Sequence, residues 1–158
     1  MSEDKPVIQS INGKGLRIAV VAARFNQSLV DTLLERTSAA IEAAGSSLQV
    51  ERVPGSNELP CAAALLARSG HFDAIITLGV IVAGATNHHN IIAESSSIAL
   101  HQVSIETGLP MINGIIVAET RAQAEERTSG AIDRGSEFAQ AALEMAQLKI
   151  QWTTNQPS

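Results

Sequence analysis

The run "AIITLGVIV" (74–82) is apolar at almost every position, and the polar loop "AGATNHHN" (83–90) follows it directly. A strand with one face in water alternates apolar and polar residues. A run without alternation is typical of a strand buried on both faces of a parallel sheet. The run therefore predicts a central strand of an α/β fold.

Three further β-branched runs are spaced along the chain as such a sheet requires. "LRIAVVAA" (16–23) and "MINGIIVA" (111–118) are apolar almost throughout, which also predicts burial on both faces, whereas "LQVERVP" (48–54) alternates and is expected nearer an edge. The helical stretches between and after these runs are 27–44, 57–69, 86–107, 120–129 and 134–149. This order predicts a three-layer, doubly wound, flavodoxin-like α/β fold, in which a mostly parallel four-stranded sheet carries helices on both faces.

Glycine and proline mark the expected helix ends. Gly45, Gly70 and the sequence "GLP" (108–110) each end a helix, and Pro60 fits only in a first turn. Residues 1–15 are expected to form an N-terminal arm and residues 150–158 a C-terminal tail. The length predicts a single domain over residues 1–158.

The composition is that of a globular protein and excludes several functions. Of 158 residues, 45% are apolar and 17% charged, the net charge is −5, and lysine and arginine do not cluster, so we expect no binding to nucleic acid or membrane. The single cysteine, Cys61, excludes an internal disulfide and a thiolate-rich metal site. No apolar run is long enough to span a bilayer, and the N-terminus lacks a signal-peptide core, so a cytoplasmic protein is expected.

Ligands of a doubly wound sheet bind at the carboxyl ends of its strands, so the loop after the 74–82 run is a site candidate. The small residues of "GAT" (84–86) let backbone N–H groups approach a ligand, and the helix N-terminus that follows attracts phosphate. An ordinary helix, capped by Thr86 or Asn87 and carrying solvated histidines, is the alternative. A neutral His88 at this terminus suits a general base. Adjacent histidines point about 100° apart on a helix, which argues against a metal site.

The loops after the other strands also allow two interpretations each. In "VPGSNELP" (53–60), Ser56 and Asn57 are helix caps or ligands for a polyhydroxy compound, and Glu58 lies in a first turn. In "ARFNQ" (23–27), Phe25 is a core or interface side chain, or it stacks on a planar ligand.

The stretch "EERTSGAIDRG" (125–135), after the last strand, carries Arg127 and Arg134. Each is either a solvated helix residue or a bidentate partner for an anion. The sequence contains no Ser-His-Asp or Cys-His signature that would supply a nucleophile.

Together and in this order, these segments resemble the lumazine synthase family. The match covers about residues 11–148, and its segments are "ARFN" (23–26), "VPGSNELP" (53–60), "DAIITLGVIVAGATNHHN" (73–90), "TGLPMINGII" (107–116) and "ALEMA" (142–146). The resemblance implies an enzyme of riboflavin biosynthesis. This enzyme condenses 5-amino-6-(D-ribitylamino)uracil with 3,4-dihydroxy-2-butanone 4-phosphate to 6,7-dimethyl-8-ribityllumazine, releasing phosphate and water, without cofactor or metal.

The resemblance also assigns roles to individual residues. It implies that His88 transfers protons, that Arg127 holds the phosphate, and that Ala85 and Thr86 form the phosphate loop. The residues that it assigns to the uracil substrate and its ribityl chain are Phe25, Asn26, Ser56, Asn57, Glu58, Val80, Ile81 and Val82.

Several positions depart from the family's pattern. The family usually has arginine at Ala83 and an aromatic residue at Asn113, against the heterocycle, and "HYD" or "HFD" in place of "HHN" (88–90). The run after Arg127 is shorter, and Arg134 matches a lysine there. These departures motivate an alternative, namely a diverged, weakly active ligand-binding or shell-forming scaffold of the same fold.

Members of the family assemble as pentamers, and many as 60-subunit icosahedral shells, with active sites between subunits. The resemblance implies a homo-oligomer here, in which "VIQSING" (7–13) adds a strand to a neighbour's sheet. We then expect one subunit to supply Phe25, Asn57 and His88, and its neighbour to supply Arg127 or Asn113.

Overall fold

A computed structural model describes residues 4–7 and 9–154 of the chain. Within these ranges, four parallel strands form one sheet in the order β2-β1-β3-β4, and the strands are β1 (Arg17–Ala23), β2 (Ser47–Val53), β3 (Ala74–Val82) and β4 (Met111–Ala118). The helices of the same ranges are α1 (Gln27–Ala43), α2 (Leu59–Arg68), α3 (His88–Thr107), α4 (Arg121–Ser129) and α5 (Arg134–Thr154), and a 3₁₀ turn (Ser56–Glu58) precedes α2. The predicted doubly wound α/β fold is confirmed.

The two faces of the sheet carry different helices. Alternate residues of β1, such as Ile18 and Val20, point toward α1, α4 and α5 and belong to the larger core cluster. Ala19 and Val21 point to the opposite face and pack with α2 and α3. β1 and β3 are buried almost throughout, as their unbroken apolar runs predicted.

The two outer strands differ from each other in how well the sequence predicted them. β2 is an edge strand, as its alternating pattern indicated. β4 is the opposite edge, and only alternate residues of its second half, Gly114, Ile116 and Ala118, are buried. The prediction that β4 is buried on both faces is therefore wrong for the single chain. An apolar run indicates that both faces of a strand are to be shielded from water, but it does not show which neighbouring elements shield them.

Some helix boundaries also differ from the predicted ones. α2 begins at Leu59 with Pro60 in its first turn, as expected, but the 3₁₀ turn replaces its predicted start at residue 57. α5 continues to Thr154, into the segment assigned to the C-terminal tail, because no glycine or proline interrupts residues 136–156. Ile8 of the predicted N-terminal strand and residues 155–158 of the tail lie outside the described residues. No helix in the described ranges is long and apolar enough to cross a bilayer.

A buried aspartate ties the amino end of the sheet to α5. The side chain of Asp73 is 4% exposed and accepts hydrogen bonds from the Arg17 backbone N–H (2.8 Å), the Arg17 guanidinium Nη2 (3.1 Å) and the Lys149 ammonium (3.2 Å). Burial alone would raise the pKa of the Asp73 carboxyl, but the hydrogen bonds from Arg17 and Lys149 outweigh burial and lower this pKa below its ordinary value.

Asp73→Asn is expected to lower the free energy of unfolding at pH 7 by about 1–3 kcal/mol, because Arg17 and Lys149 lose a buried partner while Arg17 stays partly solvated. The folded pKa lies below the unfolded one. The carboxylate's contribution is therefore complete above the unfolded pKa of about 4 and is lost as the pH falls through the folded pKa. Urea unfolding at several pH values should show the two proteins converging below about pH 4. A difference that stays constant down to about pH 2 would contradict this account.

Candidate active site

The loops that leave β1, β2 and β3 enclose a cavity of about 320 Å³, here called the loop cavity. Its lining residues are Phe25, Asn26, Gly55, Ser56, Asn57, Glu58, Val80, Ile81, Val82, His88 and Ile92. The structure thus brings together His88 and all eight residues that the family resemblance assigned to the uracil substrate. Gly55 and Ile92 were not predicted, although Ile92 lies one helical turn after His88 and shares its side of α3.

Asn26 fixes the entrance of the loop cavity. Its backbone is left-handed (φ 56°, ψ 46°), a conformation that asparagine tolerates better than most residues. Its side-chain amide donates to the Val80 carbonyl at 2.8 Å, and its own carbonyl accepts from Leu29 N–H at 3.0 Å, in the first turn of α1. The asparagine therefore joins the β1–α1 loop to the end of β3 and sets the position of its neighbour Phe25.

The ring of Phe25 lies over the β2–α2 loop and remains 73% exposed. Contact with Gly55 explains its position, since a Cβ atom on Gly55 would lie only 2.9 Å from the ring atom Cδ2. Within its own chain the ring therefore presents most of its surface to the outside. An exposed aromatic ring at the mouth of a cavity is suited to stacking on a planar ligand.

The 3₁₀ turn packs closely on β3. A Cβ atom on Gly79 would lie 2.5 Å from Ser56 Oγ, so glycine allows the turn to approach the strand. The predicted capping role of Ser56 and Asn57 is wrong, because Gly55 occupies the N-cap position and no side-chain capping bond forms there. The packed turn buries Ser56 and leaves Asn57 and Glu58 exposed at the cavity.

His88 begins α3 beside the 84–87 loop. The Thr86 hydroxyl accepts a hydrogen bond from His88 N–H at 3.4 Å, whereas the side chain of Asn87, at the N-cap position, makes no capping bond. Ala85 and Thr86 are exposed next to His88 but do not line the loop cavity. The described residues contain no group of three or more His, Cys, Asp or Glu side chains that could hold a metal ion.

A second cavity, of about 300 Å³, lies along β4 and is here called the arginine cavity. It is lined by Ile115, Ile116, Val117, Arg127 and Arg134. The Arg127 guanidinium donates to the Val117 carbonyl, which holds it at the end of the strand. The Arg134 guanidinium lies over the Phe138 ring, 5.2 Å from its centroid. Two fixed guanidinium groups can bind a phosphate through charge-assisted hydrogen bonds.

The predicted site residues thus fall into two separate sets within one chain, because the two cavities share no lining residue. Asn113 lines neither cavity. Its amide donates to Ser97 Oγ at 3.2 Å, and its side-chain oxygen accepts from Ile115 N–H at 3.1 Å. The sequence assigned no role to His89, whose ring lies between Thr86 and Glu119.

Comparison with known proteins identifies the family. The model of the 6,7-dimethyl-8-ribityllumazine synthase family matches residues 15–150, a range that includes every residue of both cavities. The chain belongs to this family. The match to the lumazine synthase family therefore spans the loops after all four strands and not only the strands and helices themselves.

Relatives that carry the name 6,7-dimethyl-8-ribityllumazine synthase are similar over most of the chain. The protein of Thermococcus gammatolerans is 42% identical over 137 residues, which cover 86% of this chain and 89% of the relative. The protein of Kineococcus radiotolerans is 42% identical over 148 residues, 91% of each chain. The protein of Methylobacterium radiotolerans is 43% identical over 136 residues, 85% of this chain and 83% of the relative.

Proposed function

We propose that the protein is a cytoplasmic 6,7-dimethyl-8-ribityllumazine synthase. It condenses 5-amino-6-(D-ribitylamino)uracil with 3,4-dihydroxy-2-butanone 4-phosphate and releases phosphate and water, without a cofactor or metal. The observation that carries the proposal is the loop cavity, where a histidine, an exposed aromatic ring and a polar turn meet in a chain of this family. No observation favours the alternative of a diverged, weakly active ligand-binding or shell-forming scaffold.

The loop cavity suits the uracil substrate. Phe25 offers an exposed ring face for stacking on the pyrimidine, and the backbone at residues 80–82 offers peptide groups to its polar edge. Asn57 and Glu58 are exposed at the cavity and are suited to the hydroxyl groups of the ribityl chain. The Val80 carbonyl accepts a hydrogen bond from the Asn26 side-chain amide. This bond therefore also fixes a peptide group against which the pyrimidine would lie.

His88 suits the proton transfers of the reaction. The amine of the uracil substrate adds to the ketone, loss of water gives an imine, phosphate is eliminated, and the second amine closes the ring with further loss of water. Each step moves a proton to or from nitrogen, carbon or oxygen. A neutral imidazole is able to accept and return such protons near pH 7. His88 lines the loop cavity, where the substrate nitrogen atoms would lie.

The arginine cavity suits the phosphate group. Arg127 and Arg134 supply two positive charges beside the end of β4. They stabilise the phosphate when it binds, and more strongly when it leaves with its full negative charge. Ala85 and Thr86 supply backbone N–H groups from the loop before His88.

The reaction needs both cavities, so we infer that neighbouring subunits of a homo-oligomer share each active site. The loop cavity comes from one subunit and the arginine cavity from its neighbour, in a pentamer or a 60-subunit shell. The exposed apolar surface supports an assembly, because Ile91, Ile98 and Ile105 recur every seven residues on one side of α3 and are each more than half exposed. Light scattering tests the assembly, and a 16.6 kDa monomer would contradict it.

A direct assay tests the proposed activity. The purified protein is mixed with the two substrates, and the product is followed by its lumazine absorbance and fluorescence. We expect product formation well above the uncatalysed rate, and a much lower rate with His88→Ala and with Arg127→Ala. If no product forms above the uncatalysed background, the scaffold alternative is favoured instead.

Asn113→Phe is expected to lower KM for the uracil substrate about threefold to tenfold, because a ring at this position adds stacking on the pyrimidine. The substitution also breaks the hydrogen bond to Ser97, so Ser97→Ala serves as the matched control for that loss. Steady-state kinetics with the uracil substrate varied measures the effect. An unchanged or higher KM in Asn113→Phe would count against the stacking role.

A further inference from the structure

His89, the second histidine of the pair, lies at the junction of two site loops. Its Nδ1 atom is 3.2 Å from the Thr86 carbonyl oxygen, and its Nε2 atom is 4.0 Å from Glu119 Oε1, just after β4. The side chain is only 11% exposed. Among the described residues, Nε2 is buried and has no hydrogen-bond partner. The imidazole therefore fills the space between the 84–87 loop and the β4–α4 loop.

The Thr86 contact determines which ring nitrogen carries a proton. A carbonyl oxygen only accepts hydrogen bonds, so the bond requires a proton on Nδ1 of His89. The Thr86 carbonyl and the Asn87 N–H belong to one trans peptide group and point in opposite directions. By holding the Thr86 carbonyl, His89 therefore also fixes the direction of the Asn87 N–H. The hydroxyl of the same Thr86 accepts from His88 N–H, so both histidines hold this residue.

We propose that His89 is a positioning residue for the phosphate-bearing substrate. Its Nδ1–H bond to Thr86 fixes the peptide group between Thr86 and Asn87, and with it the direction of the Asn87 N–H in the loop that receives the phosphate, and the loop at Glu119 keeps the ring in place. The inference rests on the proposed function, in which this loop binds the phosphate. His89 does not touch the reacting atoms and acts through the loop.

Three substitutions separate this role from simple space filling. The side-chain amide of His89→Asn places a donor near the position of Nδ1, that of His89→Gln places its amide near Nε2, and His89→Leu fills most of the space without a donor. We expect KM for the butanone phosphate to rise about tenfold in the Leu and Gln variants and to stay near wild type in the Asn variant. KM for the uracil substrate should change less than about twofold in all three. Inhibition by inorganic phosphate should weaken in the same two variants.

Other outcomes overturn the proposal. If His89→Leu keeps the wild-type KM for the butanone phosphate, or if the Asn variant is impaired as much as the Leu variant, His89 does not act through this hydrogen bond. A parallel rise of both KM values with a lower Tm indicates a purely structural role. If the wild type forms no lumazine, the proposed function fails and the inference falls with it. If the wild type is active and the Leu variant is unaffected, the inference is overturned while the proposed function stands.

A second readout does not depend on turnover. Solid-state ¹⁵N NMR of histidine-labelled, sedimented protein should contain one histidine signal that is absent from the His89→Leu variant. That signal should show a protonated Nδ1, whereas free neutral imidazole favours the proton on Nε2. An unprotonated Nδ1 would overturn the proposed hydrogen bond.

Discussion

Replacing Arg127 with alanine is expected to lower kcat/KM for the butanone phosphate about 100-fold or more. The guanidinium is held at the end of β4 by the Val117 carbonyl, and its remaining N–H groups are available to the arginine cavity. Its charge matters most when phosphate leaves, so kcat as well as KM should suffer. Single-turnover and steady-state assays with the butanone phosphate varied separate the two parameters.

A neighbouring arginine provides the matched control for this substitution. Arg121 lies on the same helix, but its guanidinium is paired with Glu125 (3.0 Å) and with Ser28 Oγ (3.3 Å) and lines neither cavity. Arg121→Ala should leave kcat/KM within about twofold of wild type. Arg127→Lys should recover only part of the activity, because lysine keeps the charge but not the bidentate geometry. A loss of less than about threefold in Arg127→Ala would remove Arg127 from the proposed site.

His88→Ala is expected to lower kcat about tenfold to 100-fold while KM for either substrate changes little. The estimate is below the largest effects of general acid–base catalysis because His88 is exposed within its own chain, and water that reaches it can replace part of its proton transfer. His101→Ala removes another exposed histidine from α3 and should be neutral. A wild-type kcat in His88→Ala would assign the proton transfers to another group or to solvent.

The sequence predicted the elements of the fold well because their signals are local. Unbroken apolar runs marked β1 and β3, and Gly45 and Gly70, which adopt positive φ angles, marked helix ends. The edge position of β4 was missed because it depends on pairing between distant segments, such as Thr77 with Asn113. No local pattern reports that pairing.

The candidate site was predicted only in part for the same reason. The rule that ligands bind at the carboxyl ends of parallel strands indicated the loops, and the family resemblance indicated His88 and Arg127 within them. The contacts that hold the site together join residues far apart in sequence: Asn26 with Val80, and His89 with Glu119. The separation of the site residues into two cavities is a three-dimensional property, and the sequence suggested it only through the family's assembly.

The loop cavity of one subunit and the arginine cavity of its neighbour together form the proposed active site, and a mixing experiment examines this arrangement. His88→Ala and Arg127→Ala subunits are assembled together in equal amounts, and lumazine formation is compared with that of each variant alone. In a ring of head-to-tail interfaces, about one quarter of the shared sites then receive both an intact His88 and an intact Arg127. We predict about a quarter of the wild-type activity, which is at least about twice that of either variant alone. A mixture no more active than the average of the two variants would contradict the shared site.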